Sequence, residues 1–360
     1  MKIFRKTGVS TLINVLVMSV AFAAAMILMV QVRWDTTYDA DFEGHEQVFR
    51  IENNWMDKGL YSTSCSRPMI EIAKTASPNI EAVGTYWYMP HEVSLKIGGE
   101  ETVISVPSAL VDGSMFSVFP FEWVEGSVRE FTARETAVVS EKYAKTFFGD
   151  ESAIGKKFTA GNGMDVQVIG VFKDMPKNYS MHYGVLVNLG DDFLDDPSEW
   201  SFPAFVKLKD PSLAKETETQ MVNALLEYVG DNVDEAQANE FRKGFRISNL
   251  HDAHFERDVR ANVASANKAI TVTLAVIAIL LILIAIINFI NFAFAEIPFR
   301  IKGINTRKVL GEGRSSLIWR QLLHAGLIAA HRFCDCLPDH ARGGRNFLGV
   351  VCVRQSGTER

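Results

Sequence analysis

The sequence predicts a membrane protein in which two transmembrane α-helices flank a mixed α+β extracytoplasmic domain. Three observations carry this expectation. Two stretches of the 360 residues, Thr7–Val32 and Ala269–Ala295, hold no charged residue. The charge is divided: between Arg33 and Lys268 there are 38 acidic and 23 basic residues, whereas the rest of the chain has 5 acidic and 14 basic ones. Within that acidic middle, strand-like alternation and helix-like spacing interleave.

Taken in order, residues 1–8 form a basic N-terminus and residues 9–32 the first span. A helix needs about 20 apolar residues to cross about 30 Å of hydrocarbon, and both charge-free runs exceed that. Lys2, Arg5 and Lys6 before an apolar run, with Ala21-Phe22-Ala23 behind it, also fit the start of a cleaved secretory signal. The run continues through Met26-Ile27-Leu28-Met29-Val30, past the usual length of a signal core, which favours an uncleaved anchor.

Residues 33–268 follow as the outer domain. Val48–Glu52 reads as a strand and Pro68–Ala76 as a helix, with Ser66 as N-cap and proline in the first turn. Val93–Ile97 and Thr102–Val106 flank Gly98-Gly99, and Phe158–Ala160 and Asp165–Phe172 flank Gly161-Asn162-Gly163; both are hairpin patterns. Thr136–Ser140 is a β-branched run, followed by a helix from Glu141 to Phe148 that stops at Gly149. Ser212–Val229 has helical spacing through Leu213, Met221, Leu225 and Val229. No internal repeat is present.

The second span is residues 269–295, followed by a basic segment over 296–316. After the second span, Arg300, Lys302, Arg307, Lys308, Arg314 and Arg320 face only Glu296 and Glu312. With the basic N-terminus, this puts both flanks in the cytoplasm and the acidic domain outside the inner membrane. The net charge of −6 gives no reason to expect nucleic acid as a partner.

Catalytic and cofactor-binding patterns are wanting. His251-x-x-His254 has metal-ligand spacing but neither the glutamate of a zinc-protease helix nor a third ligand, so two surface histidines are expected. Gly149–Lys157 departs twice from a phosphate loop: five residues separate the glycines, and Lys157 stands where Ser or Thr belongs. Cys65 has no neighbouring histidine and reads as structural, and no G-x-S-x-G elbow occurs. The acidic pairs Asp191-Asp192 and Asp195-Asp196 read as solvated surface; they lack the glycine of an EF-hand loop. No cofactor, metal or catalytic residue is expected.

Several blocks resemble a known family. Val111-Asp112-Gly113-Ser114-Met115-Phe116 is followed by Thr136-Ala137-Val138-Val139-Ser140-Glu141, Phe147-Phe148-Gly149, Ile154-Gly155-Lys156 and Val168-Ile169-Gly170-Val171-Phe172-Lys173-Asp174-Met175-Pro176. Their order and spacing resemble the periplasmic core domain of MacB-type ABC transporter permeases. After the second span, Arg300-Ile301-Lys302-Gly303-Ile304-Asn305-Thr306-Arg307-Lys308-Val309-Leu310-Gly311 is similar to the cytoplasmic segment of FtsX/MacB-type permeases.

The resemblance implies a permease subunit that hydrolyses no ATP itself and works with a separate cytoplasmic ABC ATPase. It implies a dimer or a pairing with a second permease half, and transmission of ATPase-driven motion to the outer domain for efflux or export. Arg300, Lys302, Ile304, Arg307, Lys308 and Leu310 would form the ATPase-coupling segment. The same basic residues also suit anionic lipid headgroups. Such a permease half normally has three spans after its outer domain. Here a third span starts over 317–330 but gives out at Ala330, and residues 331–360 hold three of the four cysteines, so a truncated or frame-shifted end with a disordered tail is expected. A membrane-anchored sensor with a ligand-binding outer domain is the alternative.

Overall fold

The computed structural model describes residues 2–55, 60–97, 100–161, 163–230, 234–260 and 265–309. Gln31–Val272 form one compact unit; the residues on either side of it form the other.

The described residues of the second unit lie in long helices. Helix α1 spans Lys2–Thr36, and within it Leu16–Thr36 is apolar enough to cross a membrane, with mean hydropathy 2.0. A core helix of a soluble protein would bury such residues, yet Val20, Ile27 and Val30 are 68%, 70% and 69% exposed. The second such stretch, Lys268–Asn291, has mean hydropathy 3.3. Among the described residues the buried positions in this unit are small: Ala25, Ala278 and Ala285. Small residues on one stripe let helix backbones approach closely in an apolar medium.

The first unit is a mixed α+β domain. Its strands are β1 (Val48–Asn53), β2 (Tyr61–Ser62), β3 (Ser64–Cys65), β4 (Ile80–Tyr88), β5 (Glu92–Ile97), β6 (Glu100–Ser105), β7 (Ser108–Val111) and β8 (Trp123–Gly126). They continue as β9 (Thr136–Ser140), β10 (Lys157–Thr159), β11 (Asp165–Phe172), β12 (Val185–Asn188), β13 (Phe202–Leu208), β14 (Phe245–Asn249) and β15 (Val259–Arg260). The helices between them are α2 (Arg67–Thr75), α3 (Met115–Val118), α4 (Glu141–Phe148), α5 (Ala214–Val229), α6 (Glu235–Gly244) and α7 (Leu250–Ala253). The last helix, α8, spans Lys268–Val309.

One sheet joins all the strands in the order β15-β2-β1-β13-β4-β7-β12-β9-β11-β10-β5-β6, with β14 on β1, β3 on β13 and β8 on β11. Most pairs are antiparallel; β7/β12, β9/β11 and β2/β15 are parallel. Core residues lie on both faces. In β13, Phe202, Ala204, Val206 and Leu208 enter one apolar cluster and Phe205 the other. That is why β13 lacks the hydrophobic-polar alternation of a half-exposed strand.

Both predicted hairpins pair as expected, β5 with β6 and β10 with β11; their central Gly98, Gly99 and Asn162 lie outside the described residues. Ser66 precedes α2 but makes no side-chain cap; Pro68 holds the first turn. The helix predicted from Ser212 opens as a 3₁₀ turn, Pro211–Leu213, whose Ser212 N–H is accepted by the Asp210 side chain; α5 proper begins at Ala214. A side chain that caps the turn one residue earlier fixes the start.

Gly170 pairs with Gly126 across β11/β8. A Cβ on Gly126 would sit 2.2 Å from the Ile169 carbonyl oxygen, and its φ of 72° is in the left-handed region, so only glycine fits. A Cβ on Gly84 would lie 2.8 Å from the Met115 Cα, which is how α3 closes against β4.

Candidate functional site at the roots of the two long helices

The chain leaves α1 through a buried polar corner. Asp35 accepts the Gln31 amide (2.9 Å) and the Thr271 hydroxyl (2.6 Å), and so joins the end of α1 to the first turn of α8. The Asn178 amide donates to the Thr37 carbonyl at 3.0 Å and to its hydroxyl at 3.1 Å. Asp39 then turns the backbone, with φ of 53°, a conformation in which aspartate is among the better-tolerated residues. Its backbone N–H donates to the Asn178 carbonyl (2.9 Å), and its carboxylate accepts the Ser180 N–H (2.7 Å) and hydroxyl.

Tyr38 packs beside it. Its ring stacks on His254 at 3.9 Å between centroids and 7° between planes. His251 Nδ1 lies 3.0 Å from the Tyr38 carbonyl, so Nδ1 carries the proton. The two histidines are therefore not a surface pair: His254 is 6% exposed. Its apolar ring face is worth more against Tyr38 than in water, and the sequence shows no sign of that partner 216 positions earlier. Burial raises the Asp39 carboxyl from 3.8 to about 6, against the pull of Ser180, Arg50 and His251; burial, helped by Asp39, lifts the Tyr38 hydroxyl to about 12.

A charged cluster adjoins the corner. Glu52, fully buried on β1, accepts Arg50 Nε at 2.7 Å and Arg246 Nε at 2.6 Å. Arg246 also pairs with Glu256 and Asp258, each at 3.1 Å, and its guanidinium lies 3.8 Å over the Tyr61 ring. Arg50 reaches the Ala253 carbonyl (3.4 Å). Burial, then repulsion from Glu52, raises the Glu256 carboxyl. The cluster ties β1, the first strand after α1, to the segment that leads into α8.

A family model, the MacB-like periplasmic core domain, matches residues 11–224, more than half of the chain. The chain belongs to the MacB-like periplasmic core domain family. Its fold class is that of the family: two candidate membrane helices flank the mixed domain. Three solved structures are similar to it. A domain of a candidate permease protein from Porphyromonas gingivalis is 16% identical, with TM-score 0.46, and covers 65% of this chain and 99% of its own. The extracellular domain of the ABC-type transporter YknZ from Gram-positive bacteria is 18% identical, with TM-score 0.39, over 56% and 98%. The periplasmic region of MacB from Actinobacillus actinomycetemcomitans is 15% identical, with TM-score 0.39, over 57% and 90%. No curated protein matches the chain. MacB-like proteins are permease components of ABC transporters, and members of the family partner a cytoplasmic ABC ATPase.

In this MacB-like domain the blocks that carried the resemblance are structural. Asp112 follows β7 and accepts the Thr85 N–H at 3.4 Å, with Lys74 of α2 3.3 Å away. Val138 and Val139 face opposite clusters, and Phe147 is core. Cys65 is buried, which raises its thiol to about 12 and makes it inert. Asp192 of the acidic loop pairs with Arg134 at 2.7 Å. Among the described residues no three His, Cys, Asp or Glu converge to hold a metal. A hollow of about 230 Å³ is lined by Asn54, Trp55, Gln237, Glu240, Phe241, Lys243 and Gly244.

The predicted coupling residues Arg300, Lys302, Ile304, Arg307 and Lys308 lie on the backbone of α8, which runs on to Val309 across Pro298. The segment read as separate from the second span is thus continuous with it: one proline removes a single main-chain donor, and a helix bends at such a point without having to end. By helical position Arg300, Ile304, Arg307 and Lys308 share a face and Lys302 falls opposite. Leu310, the start of a third span over 317–330 and the tail 331–360 lie outside the described residues. Sequence reasoning missed Asp35, Asp39, Ser180 and Thr271: each is an ordinary polar residue in an acidic stretch, and only a distant partner gives it a role.

Proposed function

We propose that this chain is the permease subunit of a MacB/FtsX-like ABC transporter that transmits motion, driven by a separate ATPase, from the cytoplasmic face to its outer domain for efflux or export. In this reading it is a multi-pass inner-membrane protein, with both flanks of the helix pair cytoplasmic and the domain periplasmic. It works as a homodimer or with a second permease half, among lipids whose anionic headgroups meet its basic ends. The observation that carries the reading is the Asp35–Thr271 hydrogen bond (2.6 Å). It fastens the end of α1 and the first turn of α8 at one corner of the domain, so displacement of either helix acts on the domain at that corner.

Arg300, Lys302, Ile304, Arg307, Lys308 and Leu310 are the ATPase-contacting segment in this proposal. Replacing both Arg307 and Lys308 by Glu is expected to weaken copurification with the partner ABC ATPase and its stimulation, while membrane insertion persists. Unchanged copurification and stimulation would exclude the role. The topology is checked with a membrane-impermeant thiol reagent, which should label Glu227→Cys on the outer domain and not Thr306→Cys; the reverse pattern inverts the assignment.

A further inference from the structure

We propose that the hollow between the end of β1 and α6 is a binding site for a neutral saccharide; the proposal stands apart from the transmission reading above. The hollow lies at the far end of β1 from the corner at Asp39. At the start of the strand the Val48 carbonyl accepts the side-chain amide of Asn249, which opens α7 (3.3 Å), whereas Asn54 and Trp55 follow the strand's last residue.

The space is left by a helix fastened near its two ends. At the start of α6 the Asp234 carboxylate accepts the Gln237 N–H (2.8 Å), and the Gln237 side chain accepts the Asp234 N–H (2.9 Å). At its close the Asn54 N–H donates to the Gly244 carbonyl at 2.8 Å. A Cβ on Gly244 would lie 2.2 Å from Asn54 Oδ1 and 2.8 Å from Trp55 Cδ1, so a glycine lets the last turn come this near. Between these points α6 buries only Ala238. Gln237, Glu240, Phe241 and Gly244 have the spacing of one helical face, and with Asn54, Trp55 and Lys243 they enclose about 230 Å³. That is far more than a single water needs.

Two half-buried rings form the apolar wall. Trp55 is fixed in place: its Nε1 donates to the Phe241 carbonyl (3.2 Å), its ring lies 4.5 Å from that of Phe241, and Trp200 meets it edge-on at 6.0 Å. A ring already held loses little freedom when a ligand arrives. Four polar side chains stand around the wall, and those of Gln237, Glu240 and Lys243 are exposed at the rim. The amides of Asn54 and Gln237 each carry both a donor and an acceptor. Glu240 and Lys243 bear opposite charges three positions apart, so the hollow selects neither an anion nor a cation. The ligand that fits is neutral, rich in groups that both donate and accept, and apolar on one face. A pyranose has these properties together: hydroxyls around its edge and C–H groups on its face. An apolar peptide side chain would use the rings and leave the four polar groups idle.

The test uses the full chain in lipid nanodiscs free of glycoside detergents, titrated by ligand-observed NMR. The probes are cellobiose, N,N′-diacetylchitobiose and a tripeptide with a central phenylalanine, blocked at both ends. At least one of the two disaccharides is expected to bind with a Kd of about 1 mM or tighter, and the tripeptide at least ~10-fold more weakly. Raising NaCl from about 50 mM to about 1 M should leave that Kd within about twofold, because the ligand is uncharged. Lys243→Met and Gln237→Glu, the second of which keeps the acceptor for the Asp234 N–H, should each weaken binding at least ~10-fold. Both should unfold at the parent's temperature. Asn239→Ala, on the opposite face of α6, should bind as the parent does. Failure of both disaccharides to bind below about 10 mM would overturn the site. Tighter binding of the tripeptide, or a steep loss with salt, would overturn the ligand class. Binding that survives Lys243→Met and Gln237→Glu would place the saccharide elsewhere and remove the hollow from the proposal.

Discussion

The root of α1 and the root of α8 are built differently. From Thr36 the chain enters the domain within a few residues, through Tyr38 and Asp39, both at most 2% exposed and both fastened to the interior. On the α8 side the chain leaves the core at His254, and Glu256 and Asp258 just beyond it are partly exposed and pair with Arg246. The first root is stiff because its polar groups are buried, where each bond lost leaves an unsatisfied partner. The ion pairs on the second side are half in water, where they are weak and replaceable, and its firm attachment is the buried Thr271 hydroxyl on Asp35.

The sharpest way to break this contrast is at Glu52, which sits between the two roots. Glu52→Gln leaves Arg50 and Arg246 without their shared carboxylate and is expected to cost about 3–5 kcal/mol of domain stability, measured by denaturant unfolding followed through tryptophan fluorescence. A loss under 1 kcal/mol would mean that the cluster is not the link between β1 and the α8 side.

The stiff root should respond to pH. Asp39 titrates at about 6 in the folded chain against 3.8 for its ordinary value. The folded state therefore holds this proton through a range in which the unfolded chain has released it. Its stabilising contribution is complete below about pH 4 and disappears as pH rises through about 6, a change of about 3 kcal/mol. Asp39→Asn retains an acceptor for the Ser180 N–H and adds a donor for its hydroxyl. It should flatten that part of the pH profile and make the domain more stable than the parent at pH 7. Parallel profiles for parent and variant between pH 4 and 7 would refute the assignment.

The smallest effect is at the bond between the helices. Thr271→Val removes the hydroxyl from Asp35 while Gln31 remains, and is expected to cost about 1.5–3 kcal/mol, the range for a hydrogen bond to a charged group. Thr271→Ser should restore most of it. If both variants behave alike, the hydroxyl is not what joins the roots.

Much of the fold follows from local pattern. A charge-free run of helix formers has one low-energy conformation in an apolar medium, so α1 and α8 are visible without any partner. A glycine-centred turn between alternating runs brings adjacent strands together, hence β5/β6 and β10/β11. The β-branched run Thr136–Ser140 followed by Glu141–Phe148 and Gly149 reads as strand, helix and stop from its own chemistry. Those elements, the two-helix frame and the family blocks were legible from the residues alone. Tertiary structure decided which strands pair in parallel, since β7/β12 and β9/β11 join segments with other elements between them. It turned His254 from a surface residue into a stacked, buried ring by bringing Tyr38 to it. It also made Glu52 the hub of the cluster, through a partner 194 residues away, and gave Asp39 a basic shift that comes from burial. Periodicity and turn chemistry act over a few residues and leave a mark in the sequence; burial and charge pairing across the fold depend on where the whole chain has gone, and a single glutamate or aspartate looks the same in either setting.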